Sequence, residues 1–227
     1  MGTISLKQGV KNICRHGVAY ATELIGSEKK YCIRGAYTHR TEYCYFDDSE
    51  FKDEYQKEVY ERAREIASDD GLSTVYDVGC GSGYKLVHYL GQYETVGFDV
   101  PETLEFLRRT YPDRKWAHAP FSDRSHPPAD LVVCSDVIEH VLNPDELMEF
   151  LSSLTRKWLV ISTPDRDRAY SAFSPFQLGP PSTDHHIREW SFKEFYRYVE
   201  QFVDIHEHRH SHPVHATQMI VATIRGK

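Results

Sequence analysis

Apolar and polar positions follow a helical period in the first part of the chain and a strand-like pattern later. Between residues 50 and 67, apolar side chains recur every three or four positions, which predicts one amphipathic helix. From Ser73 onward, short and nearly continuous apolar runs alternate with amphipathic stretches. The runs lie at 73–79, 95–100, 115–119, 129–138 and 157–163. Such alternation predicts a doubly wound, mostly parallel sheet with helices on both faces.

The stretches between these runs carry the signals of helix starts. Helices are predicted at 83–90 and at 101–111, and Pro101 suits the first position of the second one. Two further helices begin at predicted capping boxes, Asn143–Glu146 and Ser191–Glu194. Helices and strands therefore alternate from Ser73 as far as the last of these helices.

The C-terminal part departs from this alternation. Apolar segments at 202–208 and 216–224 follow one another with no helix between them. Two strands joined by a loop pair antiparallel. The chain is therefore predicted to form a seven-stranded, Rossmann-like α/β sheet with an antiparallel C-terminal hairpin.

A glycine-rich loop, DVGCGSG at 77–83, lies between a predicted strand and a predicted helix. Its glycines allow a tight turn and a close approach of the backbone to a ligand. Their spacing is G-x-G-x-G, so the third glycine of the dinucleotide fingerprint G-x-G-x-x-G is missing. Asp99 ends the next predicted strand, where a carboxylate can accept the ribose hydroxyls of an adenosine. Together these features predict a cofactor that contains adenosine.

The loop resembles motif I of class I S-adenosylmethionine-dependent methyltransferases. CSDVIEHV at 134–141 resembles motif IV of the methyltransferases similar to the ubiquinone-pathway O-methylases, and the overall resemblance covers residues 73–225. It implies S-adenosylmethionine as cofactor, with Asp77 facing the ammonium end and Ser122 near the adenine amine. The implied cofactor-binding residues are Asp77, Gly79, Cys80, Gly81, Gly83, Asp99, Ser122, Ser135 and Asp136.

The whole chain is similar to bacterial methyltransferases that modify sugars or surface polysaccharides. The segments that carry this similarity are YQKEVY at 55–60, ISTPDRDR at 161–168 and GPPSTDHHIREWSFKEF at 179–195. The similarity implies a small polar acceptor such as a sugar or sugar nucleotide. We expect residues 71–227 to form the cofactor-binding domain, and residues 1–70 to form an N-terminal extension and helix that is a candidate acceptor lid.

Two groups of residues outside the main motifs are further candidates. Arg166 and Arg168 follow the fifth predicted strand and could hold a phosphate, or could simply pair with neighbouring aspartates. Candidate lid residues that could instead pack against the sheet are Tyr37, His39, Arg40, Tyr43 and Tyr45.

Methyl transfer to a hydroxyl requires a group that accepts its proton. His140, His185 and His186 are the candidate catalytic bases, because they follow strands at the edge where open α/β sheets bind ligands. Glu139 and Asp136 are candidates to orient such a base or to bind the acceptor. For His140, packing of the turn after the strand is an equally simple interpretation.

The same segment offers ligands for a metal. Asp136, Glu139, His140 and the later His186 resemble the E-x-x-E-H pattern, followed by a histidine and E-W, with which small-RNA 2′-O-methyltransferases hold a divalent ion. Asp136 replaces a glutamate of that pattern. A divalent metal is possible but not expected, and a metal-assisted RNA 2′-O-ribose methyltransferase is the alternative function. A third hypothesis, a non-catalytic cofactor-binding module, has no use for the histidines.

Composition narrows the classes of partner. The net charge of -7 weighs against binding nucleic acid through its phosphates. There is no run of 18 apolar residues, which predicts no membrane span, and no apolar core of a signal peptide at the N-terminus. The five cysteines include no CxxC pair, which favours reduced thiols in the cytoplasm. A zinc set from Cys14, His16, Cys32, His39 and Cys44 fits no common zinc motif.

Overall fold

A computed structural model describes residues 30–226 and contains the predicted sheet. The strands are β1 (Thr74–Val78), β2 (Glu94–Phe98), β3 (Lys115–Ala117), β4 (Ala129–Ser135), β5 (Thr155–Pro164), β6 (Val203–His210) and β7 (Thr217–Ile224). Their order is β3-β2-β1-β4-β5-β7-β6. Strands β1 to β5 are parallel, and β7 is antiparallel to both β5 and β6. The predicted Rossmann-like sheet with its C-terminal antiparallel hairpin is therefore confirmed.

Helices cover both faces of this sheet. They are α1 (Lys57–Asp69), α2 (Tyr84–Leu90), α3 (Pro101–Thr110), α4 (Pro144–Leu154), α5 (Arg166–Ala169) and α6 (Phe192–Val199). Short 3₁₀ turns lie at Lys30–Cys32, Ile138–His140 and Pro175–Leu178. None of the helices in this part of the chain is long and apolar enough to cross a membrane.

The two faces of β4 explain its uninterrupted apolar sequence. Leu131 and Val133 pack in a core with α1 and α2, whereas Val132 and Cys134 pack in a second core with α4 and α6. Successive side chains of a strand point to opposite faces. Because both faces are covered, all of these positions are apolar.

The first predicted helix begins later than the sequence pattern indicated. Helix α1 starts at Lys57, because Gln56 adopts a left-handed conformation with φ of 66°. Phe51 and Tyr55 are therefore not on the helix, and that part of the prediction is wrong. They belong to an extended segment, residues 43–56, which we call the strap and which crosses the carboxyl-end edge of the sheet.

Two other local predictions need correction. Strand β4 ends at Ser135 rather than at residue 138, because Asp136 has a positive φ of 54° that a strand cannot continue through. Asn143 makes no bond to the backbone of α4; its side-chain amide donates to Glu146 Oε1 at 2.8 Å instead. The capping box of Ser191 and Glu194 is confirmed.

Residues 30–40 pack against the same core as the sheet. Ile33 and Tyr37 are buried there, and the Arg34 backbone and guanidinium both donate to Glu194. Arg166, a candidate phosphate ligand, is fully buried and donates to Glu194 Oε2 at 2.7 Å. Its role is structural, because a ligand cannot reach it. Cys14 and His16 of the zinc hypothesis lie outside the described residues.

Candidate active site

A cavity of about 840 Å³ opens at the carboxyl ends of β1, β2 and β4. Its wall includes the predicted site residues Gly79, Cys80, Asp99, Ser135, Asp136, Glu139, His140, His185 and His186. The glycine loop and the histidines thus border one continuous space, although the sequence separates them by about a hundred positions. The cavity volume suits a small molecule or cofactor with room for a second one.

The glycine loop takes the shape that its sequence predicts. Gly79 and Gly81 have positive φ values of 75° and 52°, and a Cβ on Gly79 would overlap Val137. Gly81 N–H donates to Asp99 Oδ2 at 2.7 Å, and Val100 N–H donates to Asp99 Oδ1 at 2.7 Å. Asp99 therefore joins the loop to the end of β2. The Thr103 hydroxyl also bonds to Asp99, which leaves one lone pair of the carboxylate for a ligand.

Asp77 lies behind the loop and is fully buried. Tyr60 of α1 donates to both of its carboxylate oxygens, at 3.2 and 3.0 Å. Burial raises the pKa of Asp77 to about 7, even though this hydrogen bond opposes the shift. Asp77, Gly81 and Gly83 do not line the cavity directly, so they support the loop from behind. Sequence reasoning missed Tyr60, whose position on the inner face of α1 was the available signal.

The cavity wall around Asp99 is mainly apolar. Phe98, Val100 and residues 118–121 lie around the Asp99 carboxylate. Burial raises the pKa of Asp99, against the two backbone donors. Ser122, predicted to lie near the adenine, is exposed and outside the cavity wall. The residues just before it supply this wall instead.

A tight turn follows β4 and aims its side chains into the cavity. Asp136 N–H donates to Ser162 O at 3.1 Å, and Asp136 Oδ1 accepts from Ser162 Oγ at 2.6 Å. Ser135 Oγ also bonds to Ser162 Oγ at 2.9 Å. Asp136 Oδ2 accepts from Thr217 Oγ1 at 3.4 Å. These bonds hold the left-handed conformation of Asp136, a strained state that is common at functional sites.

Glu139 is the most unusual acid of the site. It is fully buried, and its Oε2 accepts from Thr163 Oγ1 at 3.0 Å. Its Oε1 has no hydrogen-bond partner among residues 30–226. Burial, followed by the charge of Asp136, raises the pKa of Glu139 well above its ordinary value. A buried oxygen without a partner costs free energy, so this atom is ready for a ligand.

The histidines are oriented through their Nδ1 atoms. His140 Nδ1 donates to His185 O at 3.0 Å, and His186 Nδ1 lies 2.6 Å from Glu189 Oε1. The lone pair of His140 Nε2, 4.0 Å from Glu139 Oε1, is therefore available. Burial lowers the pKa of His140 to about 3, and the charge of His186 adds to this effect. His140 is thus neutral near pH 7.

Three ligand atoms converge at this point. One atom each from Glu139, His140 and His186 lies within 4.8 Å of the other two. Asp136, the fourth metal candidate, is not part of this group and is bonded to Ser162 and Thr217 instead. Sequence reasoning missed Glu189, which orients His186 and is itself buried.

The strap covers the cavity between the glycine loop on one side and the histidines on the other. The Phe46 ring stacks on His185 with centroids 4.2 Å apart, and burial lowers the pKa of His185. Tyr43 and Tyr45, two of the candidate lid residues, line the cavity. Tyr37 and Arg40 instead hold the histidine-bearing loop from outside, because Tyr37 accepts from Glu189 N–H and Arg40 donates to Asp184.

A family model described as a methyltransferase domain matches residues 49–219 of the chain. The chain belongs to this methyltransferase family. The match spans the C-terminal part of the strap, the glycine loop, the histidines, β6 and the start of β7. A search of curated proteins finds no match to the sequence.

Solved structures share the fold of this methyltransferase. The methyltransferase domain of bacterial CtHen1 is 20% identical, with a TM-score of 0.56, over 74% of this chain and 98% of that one. Magnesium protoporphyrin IX methyltransferase from Synechocystis PCC 6803, solved with bound SAH, is 14% identical with a TM-score of 0.57, over 74% of this chain and 83% of that one. PH0226 from Pyrococcus horikoshii OT3 is 13% identical with a TM-score of 0.58, over 79% of this chain and 95% of that one.

The methyltransferase uses S-adenosylmethionine, which supplies a methyl group on a positively charged sulfonium. The site fits this molecule. Asp99 keeps a free lone pair beside an apolar wall that suits adenosine, and the carboxyl groups of Asp48 and Asp99 border the cavity that would hold the cationic ligand. A loop with G-x-G-x-G spacing leaves room for the ligand next to the backbone.

Proposed function

We propose that this methyltransferase methylates a hydroxyl group of a small polar acceptor such as a sugar or sugar nucleotide. One observation carries the proposal. The Glu189-oriented imidazole of His186 lines the cavity that the glycine loop also borders. A histidine held by a carboxylate through Nδ1 presents Nε2 as a proton acceptor.

The residues have separate roles in this proposal. His186 Nε2 accepts the proton of the acceptor hydroxyl while the methyl group is transferred in line. Glu189 holds the His186 ring in one orientation and stabilises the imidazolium that forms. His185 and Glu139 lie beside the acceptor and orient it, and the neutral His140 offers a further hydrogen-bond acceptor.

The cavity wall supports a polar acceptor with a ring. Tyr43, Tyr45 and Phe46 offer aromatic faces on the strap side, and such faces pack against the apolar face of a sugar ring. Asn143 and Glu146 add polar groups at the other side of the opening. The net charge of -7 disfavours long nucleic acids. The segments similar to sugar-modifying methyltransferases agree with this acceptor class.

A second candidate function has an observation in its favour. Glu139 Oε1, without a partner in the described chain, and the Nε2 lone pairs of His140 and His186 point to a divalent cation. Each histidine also has the Nδ1–H···O bond that fixes metal-binding imidazoles in proteins. A cation held there would polarise the acceptor hydroxyl. Metal-assisted methylation of an RNA 2′-hydroxyl would then be the function.

The two candidates are separated by one set of turnover assays. The purified protein, treated with EDTA and dialysed, is given S-adenosylmethionine and either a sugar nucleotide panel or short RNA. Each reaction is run without metal and with Mg²⁺, Mn²⁺ or Zn²⁺. Methylation of a sugar nucleotide without added metal supports the first proposal. Strict dependence on both metal and RNA supports the second, and cofactor binding without turnover on any acceptor favours the non-catalytic module.

We also propose a cellular location for the protein and a role for its N-terminal residues. We infer a reducing cytoplasmic location from the cysteines, and the four cysteines that the structure describes form no disulfide with one another. We also infer that residues 1–70 act as the acceptor lid, with the strap as its inner part. The contacts of the strap with both halves of the cavity support this inference.

A further inference from the structure

The strap places one carboxylate directly on the glycine loop. A Cβ built on Gly81 would overlap the Asp48 carboxyl group, so Asp48 fills the space that the missing side chain leaves. Gly81 is also the residue whose N–H donates to Asp99 Oδ2 at 2.7 Å. Asp48 and Asp99 therefore approach the same peptide from two different segments of the chain.

This arrangement brings two acids close together. Burial and, to a smaller extent, the charge of Asp99 raise the pKa of Asp48 to about 6. Lys85 acts in the opposite direction, but its ammonium donates to Lys52 O at 3.0 Å. Bringing like charges together costs free energy in the protein alone. The cost is repaid when a hydrogen-bond donor enters between the two carboxylates.

The strap is anchored so that Asp48 keeps this position. On one side, Tyr45 Oη bonds to Thr103 Oγ1 at 3.2 Å. On the other side, Phe51 O accepts from Ser82 Oγ at 2.6 Å, and Asp53 Oδ1 accepts from Tyr89 Oη at 3.0 Å. Asp48 lies between these anchors and borders the cavity. It is therefore held at the cofactor end rather than at the histidines.

We propose that Asp48 is a further cofactor-binding residue, which accepts a hydrogen bond from a ribose hydroxyl of S-adenosylmethionine beside Asp99. Asp99 accepts from two backbone N–H groups and from the Thr103 hydroxyl, so it has room for one further donor and the other ribose hydroxyl bonds to Asp48. This role rests on the cofactor of the family and not on the acceptor proposed above. It also makes the strap part of the cofactor site, so that cofactor binding holds the strap over the cavity.

Calorimetric titration with S-adenosylhomocysteine tests this role without any acceptor. Asp48→Asn keeps the shape of the side chain but loses its charge, and we expect its affinity to fall about tenfold. Asp47→Asn is the matched control. Asp47 is the exposed neighbour and, among the contacts described, bonds only with Ser49, so the affinity of Asp47→Asn should stay within about twofold of wild type.

Two further readouts separate binding from structure. Without ligand, Asp48→Asn should melt at the wild-type temperature or above it, because the repulsion from Asp99 is relieved. With the 2′-deoxy and 3′-deoxy analogues of S-adenosylhomocysteine, one analogue should bind equally to wild type and to Asp48→Asn. Unchanged affinity for the parent compound would overturn the proposal, and so would an equal loss of affinity for the parent and both analogues. A failed acceptor assay would leave these results unaffected.

Discussion

The amino ends and the carboxyl ends of the parallel strands differ in how completely their polar groups are paired. At the amino end, Asp130 Oδ2 accepts from Ser73 N–H, Thr74 N–H and Thr74 Oγ1, each at 3.0 Å, and Oδ1 pairs with Arg156. Burial opposes ionisation of Asp130, but these donors lower its pKa to about 2. This carboxylate is fully satisfied by the fold itself.

At the carboxyl end, the acids are in the opposite situation. Burial raises the pKa of Asp48 to about 6 and that of Asp77 to about 7. Glu139 Oε1 lacks a partner within residues 30–226, and Asp136 has a strained backbone. The amino end therefore contributes stability, whereas the carboxyl end keeps groups in states that only a ligand relieves. We therefore expect ligands to bind at the carboxyl-end edge of the sheet.

The largest expected effect separates the histidines from the cofactor site. His186→Ala should lower kcat by at least about 100-fold, because the proton acceptor of the reaction is lost. Affinity for S-adenosylhomocysteine should remain within about twofold of wild type, since no cofactor group contacts this ring in the proposal. The measurement combines single-turnover methyl transfer with calorimetry on the same preparation.

Two variants serve as controls for His186→Ala. His88→Ala removes an exposed histidine of α2 and should leave turnover unchanged. His185→Ala should lower turnover less than His186→Ala, because His185 has no carboxylate partner in the described chain. Equal turnover of His186→Ala and wild type would mean that the proton leaves by another route.

The next effect acts on the cofactor side of the same edge. Asp99→Ala should weaken the binding of S-adenosylhomocysteine by about 1–2 kcal/mol, because a charge-assisted hydrogen bond to the ribose is lost. At saturating cofactor, kcat should fall much less than in His186→Ala. Glu102→Gln changes an exposed acid of α3 nearby and should bind normally. An unchanged affinity of Asp99→Ala would contradict the ribose assignment.

The sequence was sufficient for those parts of the site whose residues are neighbours in the chain. The order of apolar runs predicted all seven strands and the final hairpin, and the loop at 77–83 contained its own turn geometry. Asp99 could be placed because it ends a strand next to that loop. In each case a short pattern determines the local structure, and parallel packing brings the strand ends together.

The rest depends on contacts between distant segments. The meeting of Asp48 with Gly81, and that of Tyr60 with Asp77, are set by how the strap and α1 pack on the sheet. The helical period alone predicted that α1 begins near residue 50. The left-handed turn at position 56 is formed by a glutamine, so no glycine or proline marks it in the sequence.

The last expected effect is on stability against pH, and its sign should differ between the two edges. The folded pKa of Asp77 is raised, so between about pH 4 and 7 the folded protein alone holds its proton and stability falls as pH rises. The folded pKa of Asp130 is lowered, so its contribution to stability is present above about pH 4 and is lost as pH falls toward 2.

Urea unfolding of Asp77→Asn and Asp130→Asn from pH 2.5 to 8 measures both contributions. Relative to wild type, Asp77→Asn should gain stability as pH rises from 4 to 7, by at most about 1.4 kcal/mol per pH unit. Asp130→Asn should lose stability between pH 2.5 and 4 and then show a constant difference. If both differences had the same sign, the acids at the two edges would respond to pH in the same way, and the contrast between the edges would not hold.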